Sequence, residues 1–238
     1  MKKRLIKLVA YFLGSLFVLL LATAGIIYVS LHKKIPEGTP GNEADTIAIK
    51  IQDAVHHTAY LNTDYIQWTF LNKHHYLWNK KMNIVDVRWG DYEVNLHLNN
   101  LKKSTVFENN IPFTSLIKEE ILQKALTYFY NDSFWIVAPH KLFDEGTTRK
   151  VVSLENGSKG LLVTYTAGGL TPGDSYLWKY NDAYLPTSFI MWASILPIGG
   201  IEATWENWTY TDSGAYFSSI HKILGFGIPI SNLKAWND

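Results

Sequence analysis

From Leu8 to Leu31 the chain runs 24 residues without a charge, directly after a cationic start made of Lys2, Lys3, Arg4 and Lys7. A helix of that length, rising about 1.5 Å per residue, spans roughly 36 Å and crosses a hydrocarbon core of about 30 Å with some tilt. The stretch therefore decides where everything after it resides. A cleaved signal peptide opens the same way, and Ala22-Thr23-Ala24 offers an A-x-A cleavage match. Against cleavage, the run outlasts the usual apolar region of about 7–15 residues. It continues past Ala24 to Leu31 before His32-Lys33-Lys34 stops it, and Tyr28 suits the far interface. The reading adopted is an uncleaved anchor, with signal cleavage as the alternative. Both place the N-terminus in the cytoplasm, because four cations in the first seven residues outweigh Lys33 and Lys34.

Residues 1–34 thus form a basic start and a transmembrane helix. Residues 35–42, with two Pro and two Gly, read as a linker. Residues 43–238 are long enough to hold one core as a single domain. All 21 acidic residues lie after Lys34, whereas only 16 of the 22 Lys and Arg do, so the body carries a net charge of −5. It has no basic cluster, which argues against nucleic acid as a partner. The absence of Cys excludes disulfides, thiol chemistry, thiolate metal sites and a lipid-modified cysteine.

Hydrophobic spacing predicts a helix over Glu43–His57, capped by Asn42 or Asp45, with Ile47, Ile51, Ala54 and Val55 on one face. Alternating β-branched and aromatic residues predict strands at Tyr65–Leu71, His75–Lys80, Asn83–Trp89 and Tyr92–Leu98, with breaks short enough for hairpins. A second helix is predicted over Ser115–Tyr130, capped by Thr114 or Ser115. Seven more strands are predicted at Ser133–Ala138, Lys150–Leu154, Gly160–Thr166, Ser175–Tyr180, Pro186–Ser194, Glu202–Thr211 and Ala215–Ile223. Thr171-Pro172-Gly173-Asp174 fits a type II turn. The simplest fold class is α+β: one large curved antiparallel sheet of about 11 strands covered by two helices after the N-terminal membrane helix.

Nine Trp and 14 Tyr dominate the composition. Trp68, Trp78, Trp89, Trp135, Trp178, Trp192 and Trp205 each fall in a different predicted strand. The plain reading is core, since aromatics favour strands and bury large areas. The sharper reading makes these seven the lining of a hollow for a hydrophobic ligand. In Ser188–Ser194, Ile190 and Trp192 oppose Phe189, Met191 and Ala193, so both faces of that strand are dry. His74 and His75 point to opposite faces of a strand and do not chelate one ion together. No H-E-x-x-H motif is present, so neither a metal nor another cofactor is expected. Ser175 lacks a nucleophile elbow, and Gly168-Gly169 and Gly199-Gly200 lack the following helix of a phosphate loop. Asp132, His140, Asp144 and Asp174 are the residues an enzyme would use, but turn capping accounts for such aspartates more simply.

Asn131–Pro139, Leu162–Tyr165, Leu170–Trp178 and Ile198–Trp205 together resemble motifs of an uncharacterised envelope family of Bacteroidetes-type bacteria. The element order is similar to that of the lipoprotein-carrier superfamily of LolA, LolB and RseB. That resemblance implies a half-barrel around a hydrophobic cavity, and a domain in the periplasm held to the inner membrane through residues 8–31, or secreted there after cleavage. Unlike the carriers, this chain has no lipidated Cys and keeps an anchor, which points away from shuttling. The expectation is a non-catalytic module binding a lipid, acyl chain or other hydrophobic ligand. A sensor or assembly partner for another envelope protein is the second reading, and a hydrolase-type enzyme the third.

Overall fold

The computed structural model describes residues 2–167 and 171–238; the Gly168-Gly169 turn lies outside the described residues. Helix α1 (Lys2–Leu31) contains the uncharged run. Its segment Tyr11–Leu31 has a mean hydropathy of 2.3 and buries nothing against the body. By length and composition it qualifies as a membrane span, and a signal sequence passes the same test.

Strand β1 (Thr39–Pro40) leads into α2 (Asn42–Ala54) and the short α3 (His57–Asn62). Hairpins follow as β2 (Tyr65–Phe70), β3 (His74–Asn79), β4 (Ile84–Trp89) and β5 (Tyr92–His97), then β6 (Thr105–Glu108) and β7 (Ile111–Pro112). Helix α4 (Lys118–Val137) separates these from β8 (Thr147–Ser153), β9 (Lys159–Tyr165), β10 (Ser175–Tyr180) and β11 (Pro186–Trp192). The chain closes with β12 (Ile201–Thr204), β13 (Glu206–Tyr210), β14 (Tyr216–Ile223) and β15 (Phe226–Trp236).

The fifteen described strands form one antiparallel sheet, ordered β1-β8-β9-β10-β11-β12-β14-β15-β2-β3-β4-β5-β6-β7, with β13 paired to β14. Its end strands β1 and β7 do not meet, so the architecture is α+β with a large sheet that does not close into a barrel. One wing, β2 to β7, follows the predicted hairpins. Val85, Val87, Val94 and Leu96 alternate into the core while Asp86 and Asn95 stay partly wet. In the other wing both faces are dry. Leu161, Val163, Tyr176, Trp178, Phe189 and Met191 pack inward, and Val152, Leu162 and Leu177 form an outer apolar strip with Ile190 and Trp192.

Five strands are additional: β1, β6, β7 and β15 come from segments to which sequence patterning gives no strand, and the fifth from the predicted Glu202–Thr211 strand splitting into β12 and β13 around Trp205. The largest omission is β15, which joins the two wings. It pairs with β14 up to Ile220↔Pro229 and with β2 from Ile230↔Phe70. Gly227, Pro229 and Asn232 make it look like a loop. Yet Pro229 sits where the strand changes partner, its carbonyl accepting from Leu71 N (3.1 Å), and Asn232 takes φ +54 in a bulge.

The predicted strand Ser133–Ala138 is corrected to helix, which places Trp135 on α4. The buried positions Ile121, Leu122, Ala125, Phe129, Asp132, Ser133, Ile136 and Val137 keep a helical period without interruption. Asn131-Asp132-Ser133 reads as a break only when the partners of Asp132 are unknown. The helix gives way to a 3-10 turn at Ala138–His140, which contains Pro139. The predicted helix Glu43–His57 stops at Ala54, because His56 takes a left-handed φ of +57. Its N-cap is Gly41. The carboxylate of Asp45 instead pairs with Arg149 (2.6 Å).

Helices α2 and α4 lie on the sheet. Ala44, Ile47, Ala48 and Ile51 of α2 pack on the β8–β12 wing. Helix α4 lies between the wings: Phe129 meets Trp68, Tyr76 and Trp78 on one side, while Phe134 and Trp135 meet Tyr176 and Phe189 on the other. Fully burying a side chain such as Phe129 stabilises by about 1.5–3 kcal/mol.

Candidate functional site

The second half of α4 does not fill the space it covers. Between it and the inner face of β10 and β11 lies a cavity of about 610 Å³, within the range of about 300–1,000 Å³ usual for small-molecule sites. Phe129, Ser133, Phe134 and Val137 line it from α4, and Tyr165, Tyr176, Phe189 and Met191 from the sheet. Ala193, Ile195 and Leu196 form one side of its mouth, with Trp78 and Leu98 reaching in from the opposite wing.

The wall is an aromatic mosaic: the Phe134 and Tyr176 rings are 4.7 Å apart, Tyr176 and Phe189 meet edge-on at 5.2 Å, and Trp135 and Phe189 lie at 5.6 Å. Such packing holds the wall rigid while leaving it apolar. Two of the residues lining it carry a buried polar atom without a protein partner, Trp78 through its indole Nε1 and Tyr165 through its hydroxyl. The hydroxyl of Tyr165 is shut off from bulk solvent and has no protein partner. Burial pushes that phenol well above its ordinary pKa range, so it remains a neutral donor. A buried donor without an acceptor costs about 1–3 kcal/mol.

The polar part of its lining is Asn131, Lys141, Asp144, Glu145, Thr171 and the buried Asp174. Asp174 accepts from Thr171 Oγ1 (2.6 Å) and from the Ser194 backbone N–H (2.8 Å). It therefore fastens the predicted type II turn, where Gly173 has φ +105, to the loop at the mouth. Asp144 forms an ion pair with Lys141, and its backbone carbonyl accepts from Thr147 Oγ1 (2.8 Å). Asp132 lies apart: its Oδ2 accepts from Tyr76 OH (2.6 Å) and meets His74 Nδ1 at 2.7 Å. Burial raises its carboxyl pKa, partly offset by those two hydrogen bonds. Thus Asp132, His140, Asp144 and Asp174 do not converge on one mouth. His75 turns away from His74 to meet Thr69 Oγ1 at 3.0 Å, and among the described residues no three His, Asp or Glu groups are placed to hold a metal.

A second recess of about 690 Å³ adjoins the first and shares Trp78, Lys141 and Asp144 with it. Its lining is mixed: Gln52, His57, Asp64, Lys80 and His140 supply polar groups, and Leu61, Trp78 and Phe143 apolar surface. The Tyr60 and His140 rings stack at 4.2 Å, and Lys80 Nζ lies 3.8 Å from the Tyr60 centroid. Burial lowers the Lys80 pKa to about 8 and holds His57 and His140 below the usual histidine range.

Of the seven tryptophans proposed as lining, the structure brings Trp78 and Trp135 to the apolar cavity. Trp68 is stacked on Tyr76 (4.5 Å) within the β2–β7 core, where Trp89 also packs. Trp178 and Trp205 meet at 5.2 Å in the core of the other wing. Trp192 belongs to the outer apolar strip. Sequence patterning puts Met191 on a dry strand face but marks neither Tyr165 nor Phe134 as lining. Strand alternation gives the face a residue occupies, but not whether that face meets a helix or a void.

No protein-family model matches the chain, and no curated protein sequence matches it significantly. Among solved structures, it is similar to a DUF1329 family protein from Desulfovibrio piger, at 11% identity, covering 82% of this chain and 93% of that chain, with a TM-score of 0.37.

Proposed function

We propose that the protein is a membrane-held binding module that takes an acyl chain or similar apolar group, carrying one hydrogen-bond acceptor, into the cavity beneath α4. The observation behind this reading is the pairing of an aromatic-walled cavity of about 610 Å³ with the unpartnered hydroxyl of Tyr165. Apolar walls supply affinity by excluding water, and a small number of fixed polar groups orients what enters. The adjoining recess, with Gln52, Asp64 and Lys80 in its lining, gives a headgroup polar groups to meet. On this reading α1 stays attached as an inner-membrane anchor, the body lies in the periplasm, and no catalysis is required.

Photo-crosslinking tests it. Full-length protein in phosphatidylcholine vesicles is exposed to a fatty acid bearing a diazirine near its methyl end. Adducts are expected in the segments 129–137 and 189–196. Adducts spread over exposed surface positions, with none in those segments, would overturn the assignment. Crosslinks to another envelope protein instead would favour a sensor or assembly role.

A further inference from the structure

The mouth of the cavity and the exit of the anchor helix share one loop. Residues Ala193–Gly200 follow β11, and this loop supplies Ile195 and Leu196 to the cavity. It also grips the residues after α1. Lys33 N donates to Gly199 O (2.9 Å), Gly199 N donates to His32 Nδ1 (3.1 Å), and Trp192 Nε1 donates to Lys33 O (2.7 Å). Gly200, at φ +85, lies so close to Lys33 that a Cβ there would stand 2.5 Å from the lysine Cβ. The helix that qualifies as a membrane span ends at Leu31, so this loop sits within two residues of where the chain would leave a bilayer.

Sheet register brings a second apolar element to the same end. Met191 pairs with Ile201, Ala203 with Ile223, and Ile223 with Phe226. The β14–β15 turn therefore lies at the same end of the sheet as the loop. Its Leu224 and Phe226 are 75% and 77% exposed, and Ile195 on the loop is 65% exposed. Three large apolar side chains left in water at one end are costly in an aqueous setting and favourable at a lipid interface. With a span rooted in that loop, the occupant that fits is the bilayer itself.

We propose that the end of the sheet bearing Ile195, Leu224 and Phe226 rests on the bilayer from which α1 emerges, so that the cavity fills laterally from the lipid phase. The first half of this statement rests on the proposed reading of α1 as a retained anchor, and the second half rests also on the proposed ligand.

The cysteine-free chain allows a clean test. Single variants Ile195→Cys, Phe226→Cys and Glu155→Cys are made in the full-length protein, labelled with bimane and reconstituted into phosphatidylcholine vesicles with doxyl nitroxides on the acyl chains. Glu155 lies in the β8–β9 turn at the opposite end of the sheet and serves as reference. All three positions are exposed, and circular dichroism confirms that each variant folds. Quenching by the lipid nitroxide several-fold stronger at 195 and 226 than at 155 is expected, with weaker quenching by aqueous iodide. Equal nitroxide quenching at all three positions, with full iodide access, would overturn the seating. Native mass spectrometry of the same samples separates the two claims. Lipid-phase quenching without a bound acyl species overturns lateral filling and the proposed function but leaves the seating. A bound species with aqueous quenching at 195 and 226 overturns the seating and lateral entry alone.

Discussion

Trp192 donates its indole N–H to the backbone carbonyl of Lys33 across 2.7 Å, which fastens the segment leaving the apolar helix to the outer face of β11. Residues Thr39 and Pro40 then pair with Val151 and Lys150 as an edge strand. The segment between helix and body is therefore a docked strap whose reach is a few residues, not the whole of a flexible tether.

Breaking that strap should expose it. In Gly200→Val the new side chain meets Lys33 at a backbone φ that β-branched residues avoid. Limited trypsin digestion should cut after Lys33 and Lys34 several-fold faster than in the native chain, with the body intact. Unchanged cleavage would mean that the docking contributes nothing to order there.

The carboxylate of Asp132 holds α4 to β3 through Tyr76 and His74. Asp132→Ala leaves the buried Tyr76 hydroxyl without an acceptor, a loss of about 1–3 kcal/mol per orphaned group in urea denaturation. Asp132→Asn should recover part of it, since the amide oxygen still accepts from Tyr76. If the two variants are equally unstable, the charge of Asp132 matters more than the acceptor.

Acid should destabilise the fold through histidine. Burial lowers the pKa of His221 to about 4, and its Nδ1 donates to Thr204 O (2.9 Å) in the neutral form. The unfolded chain therefore binds the extra proton first, and stability falls as pH drops from about 6.5 toward 4, by about 3 kcal/mol at most. His140, held low by burial, acts in the same direction. Asp132, whose carboxyl pKa is raised, acts oppositely: its contribution is lost as pH rises through the carboxylate range. Thermal melts at pH 7.5 and 5.5 should show a clear decrease in Tm, and the decrease should be smaller in His221→Gln. An equal decrease in that variant would remove His221 from the explanation.

Core and cavity aromatics should separate by substitution. Trp178→Ala, in a filled core, should cost about 3–5 kcal/mol. Met191→Trp should fit the void beside it and leave the urea midpoint nearly unchanged, where overpacking a filled core costs about 1–3 kcal/mol. A steep loss of stability in Met191→Trp would show that the void is not free to accept a side chain.

Much of this architecture is legible in the chain. Alternation at Val85, Val87, Val94 and Leu96 and the Thr171–Asp174 turn place strands and hairpins because their physics is local. What escaped sequence reading depends on partners distant in the chain. Asp132 reads as a helix breaker until Tyr76 and His74 are seen beside it. Pro229 reads as a strand breaker until β15 is seen to change neighbours there. The cavity escapes for the same reason. Whether Tyr165 or Trp178 faces a void is decided by where α4 rests, and no periodicity in either strand records that.

The central claim is most directly tested by native mass spectrometry of the full-length protein released from its native membrane in a mild detergent. The account predicts a chain carrying one acyl-bearing species, largely absent from Met191→Trp and about 3–10-fold less retained in Tyr165→Phe, the loss of one hydrogen bond. A native chain of bare mass, or an adduct that persists undiminished in Met191→Trp, would contradict it.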